Sequence, residues 1–127
     1  MEPNLDLAVV GNCAWGGLVD CRGRLVWACL PRFDSDPVFA ALLDGGGGDH
    51  DGAFAVELLD FADCEQRYEG NTPILVTTLR DRSGGAVEVR DFAPRFLNYG
   101  RIYRPMMLIR RIVPIQGEPR VRIVVRP

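Results

Sequence analysis

The sequence predicts an all-β fold, an antiparallel β-sandwich of about eight strands with one short helix. Three observations predict it. Short apolar runs alternate with polar residues at a period of two, which is typical of half-buried strands. Turn-forming residues separate those runs. The composition, 47% hydrophobic and 25% charged over 127 residues, fits one globular domain, residues 1–127, with a real core.

The apolar runs place the strands and the turns between them. We expect strands near residues 5–10, 16–20, 24–30, 53–59, 74–80, 86–92, 106–113 and 120–126. Asp20 with Gly23, and Asp81 with Gly84, supply an aspartate at the turn entry and a glycine where φ is positive, so each predicts a hairpin. A single sheet would leave one apolar side in water, so we expect two sheets packed face to face.

The one predicted helix follows the third strand. Asp36 is suited to cap it, and Pro37 is suited to its first position. An apolar stripe follows at Val38, Phe39, Leu42 and Leu43, and Gly45 ends the helix.

The glycine-rich segment 45–52 carries the only histidine, His50. It has neither the Lys nor the Ser/Thr of a phosphate-binding loop, so we interpret it as a hairpin tip. Asp44, Asp49, His50 and Asp51 do not follow a calcium-loop spacing, and the four cysteines form no Cys-x-x-Cys pair. We therefore predict no metal site and no cofactor.

Charge and hydropathy exclude several classes of partner. Residues 65–127 hold twelve arginines, but these mostly alternate with apolar strand residues and form no dense basic block, so we expect no nucleic-acid binding. The apolar runs are too short to span a membrane, and residues 1–6 do not resemble a signal peptide. The expected location is cytoplasmic.

One loop resists a purely structural explanation. Arg32, Phe33 and Asp34 lie side by side after a strand, between Pro31 and Pro37. In one interpretation, Phe33 packs inward while Arg32 pairs with Asp34 or with Asp36. In the other, the loop presents a guanidinium, an aromatic face and a carboxylate to a sugar or to a neighbouring domain.

Carboxylate pairs suited to glycoside hydrolysis are Asp34 with Asp36 and Glu57 with Asp60. Turn and helix-cap roles explain Asp34 and Asp36 more simply. We therefore assign no catalytic residue in this chain.

The same loop carries a family resemblance. The first matching positions are Gly11-Asn12, Leu18-Val19-Asp20 with Gly23, Trp27, Leu30-Pro31-Arg32-Phe33-Asp34-Ser35, Phe39 and Leu42-Leu43-Asp44. Later matches, in the same order, are Tyr68, Asn71-Thr72, Ile74-Leu75, Asp91-Phe92-Ala93-Pro94, Arg110-Arg111-Ile112 and Gly117. Together they resemble the amino-terminal domain of the glucoamylase-like and trehalase-like enzymes of glycoside hydrolase family 15.

The resemblance implies a β-sandwich that precedes an (α/α)₆ barrel, in which the family keeps its catalytic glutamates and hydrolyses α-glucosidic bonds with inversion. Neither glutamate maps onto this chain. The leading hypothesis is thus a non-catalytic amino-terminal domain that docks on the catalytic barrel of the same polypeptide and shapes its active-site cleft through Arg32, Phe33 and Asp34. The substrate class is an α-glucoside, with trehalose and maltooligosaccharides both open.

Two other hypotheses stay open. The chain is a self-standing carbohydrate-binding or protein-interaction sandwich, or, as a fragment, it self-associates through the surface that would meet the barrel and through its last strand. In that strand Val121, Ile123 and Val125 share one face.

Overall fold

The computed structural model describes residues 6–43 and 52–127. Within these ranges the chain forms twelve strands: β1 Leu7–Gly11, β2 Gly16–Asp20, β3 Leu25–Cys29, β4 Pro37–Phe39, β5 Ala53–Leu58, β6 Phe61–Tyr68, β7 Leu75–Asp81, β8 Ala86–Phe92, β9 Phe96–Asn98, β10 Arg101–Tyr103, β11 Ile109–Gln116 and β12 Val121–Arg126. All eight predicted strands are present. The all-β prediction is confirmed.

Two antiparallel sheets form the body. The first has the order β1-β2-β3-β5-β12, with β4 beside β3, and the second has the order β11-β8-β7-β6. A separate two-stranded hairpin joins β9 to β10. The chain enters the second sheet at β6 and returns to the first sheet with β12, which pairs along its full length with β5.

The turns follow the predicted chemistry. Asp20 Oδ1 accepts hydrogen bonds from the backbone N–H groups of Arg22 and Arg24, each at 3.0 Å, and Gly23 has a φ of 77°. Asp81 Oδ1 accepts from the N–H groups of Ser83 at 2.8 Å and Gly85 at 2.7 Å. An aspartate that satisfies two backbone donors fixes the turn and thereby the register of the two strands it joins.

The core lies between the sheets. Val10, Trp15 and Leu25 of the first sheet and its connections pack in one buried cluster with Leu75 of the second sheet. Another cluster joins Leu58 of the first sheet to Leu79 and Val87 of the second. The sandwich prediction is therefore confirmed, because residues of both sheets bury one another.

The predicted helix after Asp36 is wrong. The described part of the segment forms strand β4, in which Phe39 lies opposite Ala28 of β3, followed by a turn at residues 41–43. Phe39 is buried, but Val38 and Leu43 are exposed, so the supposed apolar stripe does not lie on one face. Pairing with β3 buries Phe39 and satisfies backbone groups that a single helical turn would leave unpaired.

Residues 44–51 lie outside the described residues, and with them the predicted hairpin tip and the candidate ligands Asp44, Asp49, His50 and Asp51. In the two described ranges, no helix has the length and apolar character needed to cross a bilayer.

Candidate functional site

The predicted loop lies at the surface between β3 and β4, after a cis peptide bond at Leu30-Pro31. Arg32 Nε is 3.2 Å from Asp34 Oδ1, and their side chains are 75% and 74% exposed. Backbone geometry is set locally, since Ser35 Oγ accepts from the N–H of Arg32 and the N–H of Ser35 donates to the Arg32 carbonyl. The structure thus brings Arg32 and Asp34 together as an accessible pair.

Phe33 does not pack inward; it is 61% exposed. Its ring lies over Gly16 of β2, where an added Cβ would approach the ring to 2.7 Å. This contact forms the end of a shallow apolar groove of about 210 Å³, lined also by Val9, Leu18 and Trp27 on the outer face of the first sheet. The groove presents aromatic surface next to a guanidinium and a carboxylate, a combination suited to a sugar or a protein side chain.

A second exposed surface is the β9–β10 hairpin, whose two strands are not among those expected from the sequence. Tyr99 and Gly100 both have positive φ, 51° and 74°, so the two strands are joined by a tight primed turn. Phe96 stacks on Tyr103 across the strands with ring centroids 5.7 Å apart. Every residue of both strands is exposed.

The base of the hairpin is held by Asn12, which is buried. Its side-chain amide donates to the carbonyl of Pro94 at 3.0 Å, just before β9, and to the carbonyl of Pro105 at 2.8 Å, just after β10. Its Oδ1 accepts from the N–H of Ala14 at 3.1 Å. One side chain thus fixes both ends of the hairpin against the β1–β2 connection.

A buried ion pair lies within the second sheet, and its arginine also contacts the first sheet. Arg110 of β11 contacts Asp91 of β8 with Nε 2.6 Å from Oδ1, and the side chains are 4% and 0% exposed. Arg110 also donates to the carbonyl of Phe54 in β5 of the first sheet and to the carbonyl of Gly23 in the turn between β2 and β3. Burial raises the pKa of Asp91, and Arg110 opposes that shift. These two residues of the resemblance therefore have a structural role.

Glu57 and Cys64 are also held in side-chain contacts. Glu57 accepts from Arg122 Nε at 2.6 Å, so it is ion-paired to the neighbouring strand. Burial, followed by the neighbouring Cys21 thiol, raises the pKa of Cys64. Among residues 6–43 and 52–127, no group of three His, Cys, Asp or Glu side chains could hold a metal ion.

Comparisons with known proteins agree on one family. A family model described as trehalase-like, N-terminal, matches residues 3–126. A trehalase of Thermoplasma volcanium is 34% identical over 112 residues, which are 87% of this chain and 17% of that protein. A trehalase of Thermoplasma acidophilum is 36% identical over 110 residues, 85% of this chain and 18% of that protein.

A trehalase of Mycolicibacterium smegmatis is 33% identical over 90 residues, 70% of this chain and 13% of that protein. The chain spans less than a fifth of the length of these relatives. No solved structure matches the chain.

Proposed function

The chain belongs to the trehalase-like N-terminal domain family, and we propose that it is the non-catalytic amino-terminal β-sandwich of an inverting α-glucoside hydrolase of the trehalase or glucoamylase type. In this proposal it docks on the (α/α)₆ catalytic barrel of the same polypeptide. The family match over residues 3–126 carries the proposal.

The lengths of the relatives support a division of labour. The trehalases that match this chain extend far beyond the aligned region, because the chain covers 13 to 18% of the three compared above. We assign the acid and base that hydrolyse the glycosidic bond to that remaining polypeptide. An inverting hydrolase needs two carboxyl groups on opposite faces of the sugar, about 6.5 to 9.5 Å apart.

The loop of Arg32, Phe33 and Asp34 is proposed to border the active-site cleft. Its exposed ion pair and half-covered ring are available for contact, and its backbone is fixed by Ser35. The Arg32 guanidinium is suited to donate hydrogen bonds to hydroxyl or carboxylate oxygens, whereas the Phe33 ring is suited to stack on the apolar face of a glucose unit. In this role the loop orients the α-glucoside and limits the access of water.

The test is a comparison of two polypeptides. The 127-residue chain and a polypeptide that joins it to the catalytic part are assayed for glucose release from trehalose and from maltooligosaccharides. We expect release by the joined polypeptide only. Glucose release by the isolated chain would overturn the division of labour.

The groove beside Phe33 also favours a second candidate, a self-standing carbohydrate-binding sandwich. Trp27 and Phe33 line that groove together, and aromatic faces bind sugar rings by stacking. Titration calorimetry of the isolated chain with trehalose and maltooligosaccharides separates the candidates. Appreciable affinity without the catalytic part favours the binding module, and absence of heat favours the docked domain.

A further inference from the structure

We infer that the β9–β10 hairpin, together with Met106 and Met107, is the surface on which the catalytic part of the same polypeptide packs. This inference rests on the proposed function and names the docking site within it. The hairpin surface is defined by the exposed side chains of Phe96, Leu97, Tyr99, Ile102, Tyr103, Met106 and Met107.

Neither face of the hairpin packs on another part of the described structure. Its cross-strand pairs alternate in direction, so the pair Phe96 and Tyr103 lies on one face and the pair Leu97 and Ile102 on the other. Both faces are exposed. A two-stranded hairpin is marginally stable in water unless it packs on something. Apolar side chains on both faces indicate a partner that encloses the hairpin.

The hairpin is nevertheless held in place before that partner arrives. Asn12 is 3% exposed, and its side-chain amide donates hydrogen bonds to the carbonyls of Pro94 and Pro105 at the two ends of the hairpin. The primed turn at Tyr99-Gly100 fixes its tip. A preorganised projection loses little conformational entropy when it binds, which is the property expected of a docking element.

The apolar surface continues toward the end of β12. Met106 and Met107 line an apolar cleft of about 230 Å³ together with Phe39, Phe54 and Val125. On the same face of β12 as Val125, the side chain of Ile123 is also exposed. Monomeric proteins rarely leave contiguous apolar patches of more than a few hundred Å² in contact with water. The hairpin and the β12 face are therefore suited to one large interface.

The charges around the hairpin specify the chemistry of the partner surface. Arg95, Arg101 and Arg104 are exposed at its base and along β10, and within the described ranges none has an ion-pair partner. Aromatic, methionine and arginine side chains are the types enriched in protein interfaces. The partner surface is thus an apolar one with carboxylates placed to meet these guanidinium groups.

The length of the relatives identifies the occupant. Four-fifths or more of the matching trehalases lies outside the region that this chain covers. That polypeptide is present at high effective concentration wherever the two parts are joined. A second copy of the chain is the competing occupant, and it is an outcome of the test below.

Hydrogen–deuterium exchange provides the test. Backbone amides of residues 96–107 are compared between the isolated chain and the joined polypeptide, with the turn at residues 82–84 as an internal reference. We expect at least tenfold slower exchange at 96–107 in the joined polypeptide, independent of protein concentration, and unchanged exchange at 82–84.

Three other outcomes separate the alternatives. Protection only near residues 16–18 and 32–34 would overturn the hairpin as the docking site while the docked domain stands. Absence of protection anywhere would overturn the docked domain itself. Protection at 96–107 that grows with concentration in the isolated chain, and does not differ in the joined polypeptide, would assign the surface to a second copy and overturn the inference.

A matched pair of variants isolates the side-chain contribution. Leu97 and Leu43 are 74% and 73% exposed, but only Leu97 belongs to the hairpin surface. Leu97→Asp places a carboxylate in the proposed interface, and we expect it to speed amide exchange of residues 96–107 in the joined polypeptide at least tenfold. Leu43→Asp should leave that exchange unchanged. Equal effects of the two variants would contradict the assignment.

Discussion

At the scale of single residues, Asn12 is the side chain on which the position of the exposed hairpin depends. It makes two donor contacts and one acceptor contact while it is buried. Nothing in the sequence around Gly11-Asn12 indicates this role, because its partners Pro94 and Pro105 are more than eighty residues away. A long-range hydrogen bond leaves no local pattern.

Asn12→Asp tests that role with almost no change in shape. A carboxylate cannot donate to the carbonyls of Pro94 and Pro105, so two acceptors lose their partner beside a buried charge. We expect the free energy of unfolding to fall by about 2 kcal/mol, measured by chemical denaturation. Asn71→Asp, at an exposed position, is the control. Equal stability of Asn12→Asp and the parent would show that the hydrogen bonds of Asn12 to Pro94 and Pro105 do not stabilise the fold.

Arg32 belongs to the proposed cleft border, where it is accessible and weakly paired. In the joined polypeptide, Arg32→Ala should lower kcat/KM for the α-glucoside about fivefold, which corresponds to a contact worth about 1 kcal/mol. Arg82→Ala, an exposed arginine at the β7–β8 turn, is the matched control. If steady-state kinetics of the two variants coincide, the loop has only a structural role.

The buried contacts of Arg110, to Asp91 and to the Phe54 carbonyl of the first sheet, give a prediction about stability. Arg110→Met leaves the Asp91 carboxylate buried without its counter-charge, and we expect a loss of about 3 to 5 kcal/mol at neutral pH. Arg111→Met, one residue away on the exposed face, should cost less than about 0.5 kcal/mol. Thermal or chemical denaturation of the two variants measures the difference.

The stability lost in Arg110→Met should depend on pH with a definite sign. Burial raises the pKa of Asp91 above its ordinary value of 3.8, and removal of Arg110 raises it further. A group with a raised pKa in the folded state gives its full stabilisation below the unfolded pKa and loses it as the pH rises through the folded pKa. The deficit of Arg110→Met should therefore be smallest in acid and grow with pH. A deficit that shrinks as the pH rises would contradict this account.

At the scale of elements, the predictable strands were those with a buried face and turn residues at both ends. Most residues of β2, β3, β5, β7 and β8 are buried, and each of these strands was predicted within about two residues. β4 was mistaken for a helix because Asp36 and Pro37 are also good helix-start residues. Tertiary pairing with β3 decided the outcome.

The missed strands have different causes. β6 is an edge strand whose mostly polar sequence shows no clean alternation, so its existence depends on pairing with β7. β9 and β10 are three residues each and expose both faces. A signal for them was available in Asn98-Tyr99-Gly100, a turn sequence between two short β-prone runs. For the Arg32 loop the structure contains one part of each interpretation, because Arg32 pairs with Asp34 while Phe33 is exposed.

Edge protection of β1 provides an element-scale prediction. The Tyr68 hydroxyl accepts from the N–H of Val9 at 3.0 Å and donates to its carbonyl at 2.7 Å, so it satisfies the free edge of that strand. Tyr68→Phe should lower the free energy of unfolding by about 1 kcal/mol and speed exchange of the Val9 amide. Tyr99→Phe, 98% exposed, is the control and should change neither. Unchanged exchange of the Val9 amide in Tyr68→Phe would contradict the role of Tyr68 in protecting the edge of β1.

At the scale of the whole molecule, the chain has a well-packed interior and an unusually apolar exterior at one side. Core residues of both sheets are almost fully buried, whereas the hairpin surface and the face of β12 remain exposed. Sequence periodicity predicted the apolar face of β12. Periodicity alone does not show whether this face is covered; the hypothesis of self-association expected the last strand to be exposed, and Ile123 and Val125 are 54% and 51% exposed.

The exposed surface predicts behaviour of the isolated chain in solution. Apolar side chains of the hairpin surface and the edge of β12 should bring copies together as concentration rises. We expect the mean mass in sedimentation equilibrium to increase with concentration, and Leu97→Asp to reduce that increase. A concentration-independent monomer would contradict this expectation.

The central claim is that this chain is one part of a two-part α-glucoside hydrolase. The most direct measurement mixes the isolated chain with the separately purified catalytic part and follows both binding, by titration calorimetry, and glucose release from trehalose and maltooligosaccharides. We expect a one-to-one complex whose formation raises hydrolysis above that of the catalytic part alone. Absence of binding, with full activity of the catalytic part by itself, would contradict it.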